Sequence, residues 1–262
     1  MPTLIMIPTH NEVGTIESLA ADILDLAGDL HLLFIDDLST DGTRRVILDL
    51  EHRFPERVFH LFREAKRGLG AAYLSGFQWA LNHGYAWVFQ MDGDGSHAPR
   101  DLARMLAVRE HGVSAIIGSR YLHDSGSIGM TAWRRRLSRF GSGLARWRLG
   151  LPIHDITGGF NGWRSDLLER IHFGRFHANG FGFQIELKLR ATAGLARFAE
   201  VPITFERRMA GTSKLGVRDV LEALMLLAVV RPFRRPRLLT GEIDRREDAA
   251  LPVASYIAKR HG

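Results

Sequence analysis

Short apolar runs that each end in a polar or glycine-bearing turn, with helical patterns between them, constrain the fold of this chain more than any other feature. Leu4 to Ile7, Leu32 to Ile35, Val58 to Phe62, Trp87 to Met91 and Ala115 to Ile117 read as buried strands. Strands alternating with helices predict βαβ units and a largely parallel α/β sheet. In such sheets the loops at the carboxyl ends of the strands build the ligand crevice. Those loops are Pro8-Thr9-His10-Asn11-Glu12, then Asp36-Asp37-Leu38-Ser39-Thr40-Asp41-Gly42-Thr43, then Asp92-Gly93-Asp94-Gly95-Ser96-His97. Three acidic loops are therefore expected to converge on one edge.

Asp92 and Asp94 are alternate residues directly after an apolar run, a spacing that lets two carboxylates share a hard divalent cation. Such an ion bridges diphosphate oxygens and offsets the charge on a departing nucleotide. Glycine at 93 and 95 is expected to permit close approach of phosphate. A solvated acidic turn is the competing reading. Asp36-Asp37 also ends a strand, where a carboxylate suits the edge of a nucleobase, while Glu12 suits ribose hydroxyls. Asp41 and Thr43 read mostly as a helix cap. Arg120 ends a strand, and Arg208 precedes Gly211-Thr212-Ser213-Lys214, a loop free to close over phosphate. Lys66 and Arg67, before Gly68-Leu69-Gly70, match no phosphate-loop fingerprint and receive only a positioning role. Among the histidines, none has metal-ligand spacing, and His97 is the one expected near chemistry.

Composition narrows the class. With 45% hydrophobic and 24% charged residues the chain is an ordinary globular one. It has no cysteine, so any metal rests on carboxylates or histidine. A net charge of +6 favours anionic partners. Nucleic acid is not among the expected ones, because the acidic loops repel polyphosphate unless metal is present. The chain opens directly into Leu4-Ile5-Met6-Ile7, so no secretory signal is expected. Its longest uncharged apolar run, Ala223 to Val230, is far shorter than the roughly 18 residues of a spanning helix. From Trp133 to Arg148 the residues Trp133, Leu137, Phe140, Leu144 and Trp147 recur along one helix face. A second helix is predicted over about Phe183 to Ala193, a strand over Phe198 to Phe205, and a third helix over Val217 to Val230. Arg231, Arg234, Arg235 and Arg237 then open a mixed-charge tail. Two parts are expected, residues 1–216 as the catalytic domain and 217–262 as an amphipathic helix with a basic tail.

Taken in order, these loops resemble the family 2 inverting glycosyltransferases, and within them the polyprenyl-phosphate (dolichol-phosphate) mannose synthases. The likeness runs through PTHNE, DDLSTDGT, KRGLGAAYLSGF, MDGDGSH and GSRY. It continues through Trp133 to Ser138, Asp155-Ile156-Thr157-Gly158-Gly159-Phe160, Gly182 to Glu186, and the Arg208 to Gly216 loop. It covers roughly residues 3–228. The resemblance implies the GT-A nucleotide-sugar-binding fold, a mostly parallel mixed sheet flanked by helices. It implies transfer of mannose from GDP-mannose to a polyprenyl phosphate with inversion, dependent on Mg2+ or Mn2+. Carried over, Pro8, His10, Glu12, Ile35 and Asp37 line the nucleoside, and Asp92, Gly93 and Asp94 meet diphosphate and metal. Arg120, Arg208 and Lys214 hold phosphates and, with Asp94, carry catalysis, while Arg134, Arg135 and Ser138 meet the acceptor phosphate. His10 stands in place of a usual Tyr and Thr40 in place of a frequent Pro, and Gly95 and Gly159 replace commoner residues.

Glucosyl transfer from UDP-glucose shares these motifs. Transfer to a sugar hydroxyl requires a carboxylate base, for which Asp155 is the candidate. A non-enzymatic sugar-nucleotide- or nucleic-acid-binding regulator rests on the basic charge alone. The expected location is cytoplasmic and peripheral to a membrane, docked through the Trp133 to Arg148 helix and the Arg231 to Arg237 cluster, or through a membrane-anchored protein partner.

Overall fold

The computed structural model describes residues 2–65, 68–122, 126–127, 142–144, 146–148, 150–171, 173, 176 and 181–205. The elements run β1 (Thr3–Thr9), α1 (Ile16–Leu24), β2 (Leu30–Asp36), α2 (Thr43–Arg53), β3 (Val58–Phe62), α3 (Leu69–Asn82), β4 (Trp87–Gln90), α4 (Pro99–Ala107) and β5 (Ala115–Ser119). They continue with β6 (Gly126–Ser127), β7 (Asn161–Arg164), α5 (Ser165–Arg170), α6 (Phe181–Ala193), β8 (Phe198–Pro202) and β9 (Thr204–Phe205). Seven strands form one sheet in the order β3-β2-β1-β4-β7-β5-β8. All its neighbours are parallel except β7, which runs antiparallel to both β4 and β5. The fold is thus a GT-A-like α/β architecture with a mixed, mostly parallel sheet.

Apolar alternation explains the layering. Side chains along a strand point to opposite faces, so Leu4 and Met6 of β1 join Leu33 and Ile35 against α3, α5 and α6. Ile5 and Ile7 join Leu32 and Phe34 against α1, α2 and α4 on the other face. Leu4 through Ile7 have no solvent exposure, and burying each stabilises the fold by roughly 1.5–3 kcal/mol. The helices match: Ile16, Leu19, Ala20 and Ile23 line the buried stripe of α1, and Pro99 opens α4, where a missing N–H costs nothing. Helix α3 lies so close to the sheet that a Cβ on Gly76 would come within 2.5 Å of Ile35 and the Met6 sulfur.

Strand β7 is not foreseen from the sequence. Asn161-Gly162-Trp163-Arg164 offers no apolar run, yet it lies mid-sheet because Gly162 leaves room for the Phe89 ring, which a Cβ would meet at 2.4 Å. The single strand expected over 198–205 divides: β8 extends the main sheet, and β9 pairs with β6 in a second, two-stranded sheet. Asp101 of α4, fully buried, accepts the Thr204 N–H (2.8 Å), and Phe205 bridges back to His97, so β9 is pinned above the loop after β4. Residues 142–144 and 146–148 are helical. The rest of the Trp133 to Arg148 stripe lies outside the described residues, as do Lys66, Arg67 and the whole segment from 206 onward.

Candidate active site

Strand order reverses around β1, which has β2 on one side and β4 on the other, and the crevice opens at their carboxyl ends. Hydrogen bonds stitch the loops there together. His10 Nδ1 donates to the Asp37 carbonyl (2.8 Å), Asn11 N–H to Ser39 Oγ (2.9 Å), Thr40 N–H to Asn11 Oδ1 (2.9 Å) and Glu12 N–H to Thr43 Oγ1 (2.9 Å). Thr15 Oγ1 donates to the Gly93 carbonyl (2.6 Å), joining the loop after β4 to the start of α1. Pro8, His10, Glu12, Asp37, Asp92, Gly93, Asp94 and Arg120 all lie along this edge.

The paired aspartates after β2 divide their work. Asp36, fully buried, receives Thr9 Oγ1, the Ser39 N–H and the Arg44 guanidinium, so it holds the loop rather than facing the crevice. Asp37 is the residue at the rim, and its carboxylate takes Arg63 Nη1 at 2.7 Å. Gly42 holds the N-cap position of α2, and Asp41, just before it, accepts Thr43 N–H and Val13 N–H, tying the turn to the loop after β1. Burial pushes its carboxyl upward, but the hydrogen bonds from Thr43 and Val13 outweigh this and hold it below the usual range. Ile35 requires a correction. Its side chain has no exposure and packs against Gly76 in the core, because alternation along β2 points it to the α3 face, so it does not line the nucleoside.

In the loop after β4, Asp92 Oδ1 lies 3.4 Å from the Tyr73 hydroxyl, and Asp92 N–H donates to His97 Nδ1 at 3.1 Å. His97 therefore carries its proton on Nε2, which stands 4.0 Å from Asp92 Oδ2. Burial lowers the imidazole pKa, against the opposing pull of Asp92 and Asp94, and the ring is clamped against Phe160 (4.6 Å) and Phe205 (5.7 Å). Burial, then the charges of Asp92 and Asp94, push the Tyr73 hydroxyl well above its ordinary value. Asp94 Oδ1 accepts the Ser96 N–H at 3.0 Å. Gly95 adopts φ +77°, a conformation suited to glycine. The space beside Gly93 is already taken: a Cβ would meet Ile7 at 3.2 Å and Thr9 at 3.4 Å, so this glycine lets the loop settle on β1.

These residues fit a hard divalent ion. Asp92 keeps its carboxylate 30% exposed, Asp94 is buried with Oδ1 on the Ser96 N–H, and the charges of both reach His97 and Tyr73. Ser96 Oγ, two residues after Asp94, is buried without a hydrogen-bond partner. Among the described residues no cluster of three or more acidic or histidine side chains surrounds one point, so other oxygens must complete the shell, as Mg2+ and Mn2+ sites built on substrate phosphates require.

The far side of the crevice is the loop 154–159. Asp155 has no exposure and receives Arg120 Nε (2.7 Å), Arg120 Nη2 (2.9 Å), Arg120 N–H (3.1 Å) and Gly158 N–H (2.9 Å). Burial alone would raise its pKa, but the Arg120 guanidinium, with Lys188 behind it, holds it at about 2. Lys188 of α6, fully buried, donates to the carbonyls of Ile156 (3.1 Å) and Gly158 (2.7 Å). Glu200 of β8 accepts the N–H groups of His154 (2.9 Å) and Asp155 (3.1 Å). Three charged side chains from three elements thus clamp one short loop. The phosphate-holding role expected of Arg120 has to use what remains of its guanidinium, since Nε and Nη2 are engaged with Asp155 and Thr157. Arg208, Lys214, Arg134, Arg135 and Ser138 lie outside the described residues. Arg63, Lys188 and Glu200 lie outside every motif read from the sequence, whereas Tyr73 and Gln184 enter it only as members of KRGLGAAYLSGF and of the Gly182 to Glu186 motif. Arg63, one residue past β3, follows the strand-end rule that found the others, whereas Lys188 carries no local signal.

The mixed, mostly parallel sheet with strand-end carboxylates at its switch point is a GT-A-like fold. The profile of glycosyl transferase family 2 matches residues 4–172, and the chain belongs to that family. It is 40% identical over 227 residues to the polyprenol monophosphomannose synthase of Mycolicibacterium smegmatis, covering 86% of this chain and 85% of that protein. It is 37% identical over 226 residues to the undecaprenyl-phosphate mannosyltransferase of Micrococcus luteus, covering 86% and 92%. Among solved structures, glucosyl-3-phosphoglycerate synthase from Mycobacterium tuberculosis in complex with Mn2+, UDP-glucose and phosphoglyceric acid matches with a TM-score of 0.63 at 19% identity, over 87% of this chain and 80% of that one.

Proposed function

We propose that the chain transfers a mannosyl residue from GDP-mannose to a polyprenyl phosphate, with inversion, at a membrane surface. Relatives named for mannosyl transfer to polyprenyl or undecaprenyl phosphate, matched along most of both chains, support the substrate class. The observation that carries the chemistry is the state of Asp155. The carboxylate best placed to serve as base for a hydroxyl acceptor is saturated by donors and held ionised at about 2. A phosphate monoester, with a second pKa of about 6, is already an anionic nucleophile at neutral pH and needs no base. Its oxygen forms the new bond to the anomeric carbon as the bond from that carbon to the nucleoside diphosphate breaks, giving a β-linked product from an α-linked donor.

Asp92 and Asp94 would hold the divalent ion, which when bound supplies Lewis-acid stabilisation of the departing diphosphate. His97 and Tyr73 orient Asp92 from two sides, and His10, Glu12, Asp37 and Arg63 form the nucleoside rim. Arg120, Arg208 and Lys214 would grip phosphates, with Arg134, Arg135 and Ser138 toward the acceptor and Arg208 and Lys214 on a closing loop. Residues 1–216 would form the catalytic unit and 217–262 the amphipathic helix and basic tail. Among the described residues no helix is long and apolar enough to cross a membrane. Trp147 is 80% exposed and Leu144 40% exposed, which supports docking of the Trp133 to Arg148 stripe on the bilayer together with the Arg231 to Arg237 cluster. Co-sedimentation with anionic vesicles at low salt tests docking, and recovery in the supernatant would refute it.

The function is tested by offering a panel of nucleotide sugars with polyprenyl phosphate and Mg2+ or Mn2+ and scoring lipid-soluble product. Product from GDP-mannose is expected, and none after chelation. Product from UDP-glucose alone, or transfer to a sugar hydroxyl with none to the lipid, would overturn the reading.

A further inference from the structure

A buried carboxamide cluster lies beneath the loop 154–159, and its orientation is fixed by groups with no ambiguity of their own. Trp163 Nε1, which can only donate, bonds Gln90 Oε1 at 2.8 Å. Asn161 Nδ2 donates to the Gly158 carbonyl (3.1 Å), which can only accept, and also to Gln90 Oε1 (3.2 Å) and Gln184 Oε1 (3.1 Å). Gln184 on α6 must therefore turn its oxygen to Asn161 and its nitrogen away. That nitrogen, on a residue 2% exposed, has no hydrogen-bond partner. It is aimed at Gly159. A Cβ built there would lie 3.7 Å from Gln184 Nε2 and 3.9 Å from Asp92 Oδ1, with nothing nearer. These are ordinary contact distances, so glycine leaves room for about one methyl group between an unused amide donor and the partly exposed carboxylate of the DGD loop.

An unpaired buried donor is costly and calls for a partner, be it water, an ion or a ligand; Gln90 Nε2 and Asn161 Oδ1 of the same cluster also lack one, but Gln184 Nε2 is the one beside Gly159. Gln184 Nε2 can only donate, so the partner it lacks is an acceptor oxygen. The amide is neutral and so does not repel an anion, as a carboxylate in its place would. It also belongs to the clamped far side of the crevice and has no link to the nucleoside rim. We propose that Gln184 is a substrate-binding residue whose side-chain N–H, reached over Gly159, donates to a phosphoryl oxygen of the lipid phosphate acceptor. This rests on the proposed function and adds to it a residue that fixes the attacking group.

The removal of Gln184 is structurally tolerable, because the two Nδ2 hydrogens of Asn161 keep the Gly158 carbonyl and Gln90 Oε1 as partners. Gln184→Met deletes the unpaired donor at similar volume, Gln184→Glu puts a negative charge in its place, and Gly159→Ala fills the opening at ordinary contact distance. Steady-state kinetics of the full chain, with polyprenyl phosphate and nucleotide sugar varied separately, should show acceptor KM raised about tenfold in Gln184→Met. The rise should be larger in Gln184→Glu and also present in Gly159→Ala, while nucleotide-sugar KM stays within about twofold. Gln184→Met should melt no lower than the wild type. An unchanged acceptor KM in Gln184→Met and Gly159→Ala overturns the proposal. So does a rise in nucleotide-sugar KM instead, which assigns the amide to the donor diphosphate, or a parallel fall in melting temperature and activity, which makes Gln184 structural. If the wild type itself transfers nothing to polyprenyl phosphate, it is the functional reading that fails, and this inference with it.

Discussion

The two walls of the crevice are built on different physics. On the wall formed after β1 and β2, the outer contacts are short polar side chains and backbone groups at the surface, as in the exposed pairs Asn11–Ser39 and Thr40–Asn11, above the buried carboxylates of Asp36 and Asp37. On the opposite wall, Asp155 and Lys188 have no exposure at all, and Arg120 lies almost wholly covered. Hydrogen bonds near water contribute little individually, because solvent replaces them when they break. A buried ion pair gives little net stability but is severely punished when one partner is removed. The first wall can therefore adapt to a nucleotide, while the second holds one geometry at a large desolvation cost. That division suits a reaction in which an anion must attack one carbon along one line.

The comparison breaks most readily at Asp155. Asp155→Asn leaves Arg120 and Lys188 buried without their carboxylate and should destabilise the chain by about 3–5 kcal/mol in denaturant unfolding. A loss no larger than that of a surface substitution would contradict the locked wall.

A smaller effect is expected in the pH dependence of stability. Burial lowers the Lys188 ammonium from 10.5 to about 7, opposed by Asp155 and Glu200 and reinforced by Arg120. Between those values the unfolded chain holds a proton that the folded chain does not, so this group makes stability rise with pH from about 7 upward. Below 7 both states are protonated and its contribution is level. Asp155 acts in the other window: its stabilisation is complete above 3.8 and is lost as pH falls toward about 2. Unfolding titrations at successive pH values should show the alkaline rise in the wild type and its absence in Lys188→Met. An identical slope in both would show that Lys188 does not titrate in this range.

The smallest effect belongs to the open wall. Ser39→Ala removes the acceptor of the Asn11 N–H at an exposed site and should cost no more than about 1 kcal/mol. A cost matching Asp155→Asn would erase the distinction between the walls.

The same contrast explains what the amino-acid sequence reveals. Strands β1, β2, β4 and β5 announce themselves as apolar runs because they are buried on both faces, whereas β3, at the edge, is apolar but only partly buried. The carboxylates of the first wall and of the DGD loop follow those strands directly, so position alone marks them. Ile35 is misread because period-two alternation, which decides the face, sends it to the core with Leu33. Strand β7 has no signal because its burial depends on Phe89 filling the space that Gly162 leaves. The clamped wall is assembled from distant elements: Lys188 meets carbonyls 30 and 32 residues away, and Glu200 meets backbone 45 and 46 residues away. No local pattern encodes such meetings, although the Asp155 to Phe160 and Gly182 to Glu186 motifs point to the segments that take part.

The proposed function depends on a divalent ion that Asp92 and Asp94 would hold in the crevice. Asp94→Asn tests it most directly, since asparagine retains an acceptor for the Ser96 N–H while removing the charge. Mn2+ binding in the presence of GDP, followed by electron paramagnetic resonance alongside thermal melting, should show affinity lowered by at least about 100-fold in Asp94→Asn with an unchanged melting temperature. Equal Mn2+ affinity in wild type and variant would contradict the account.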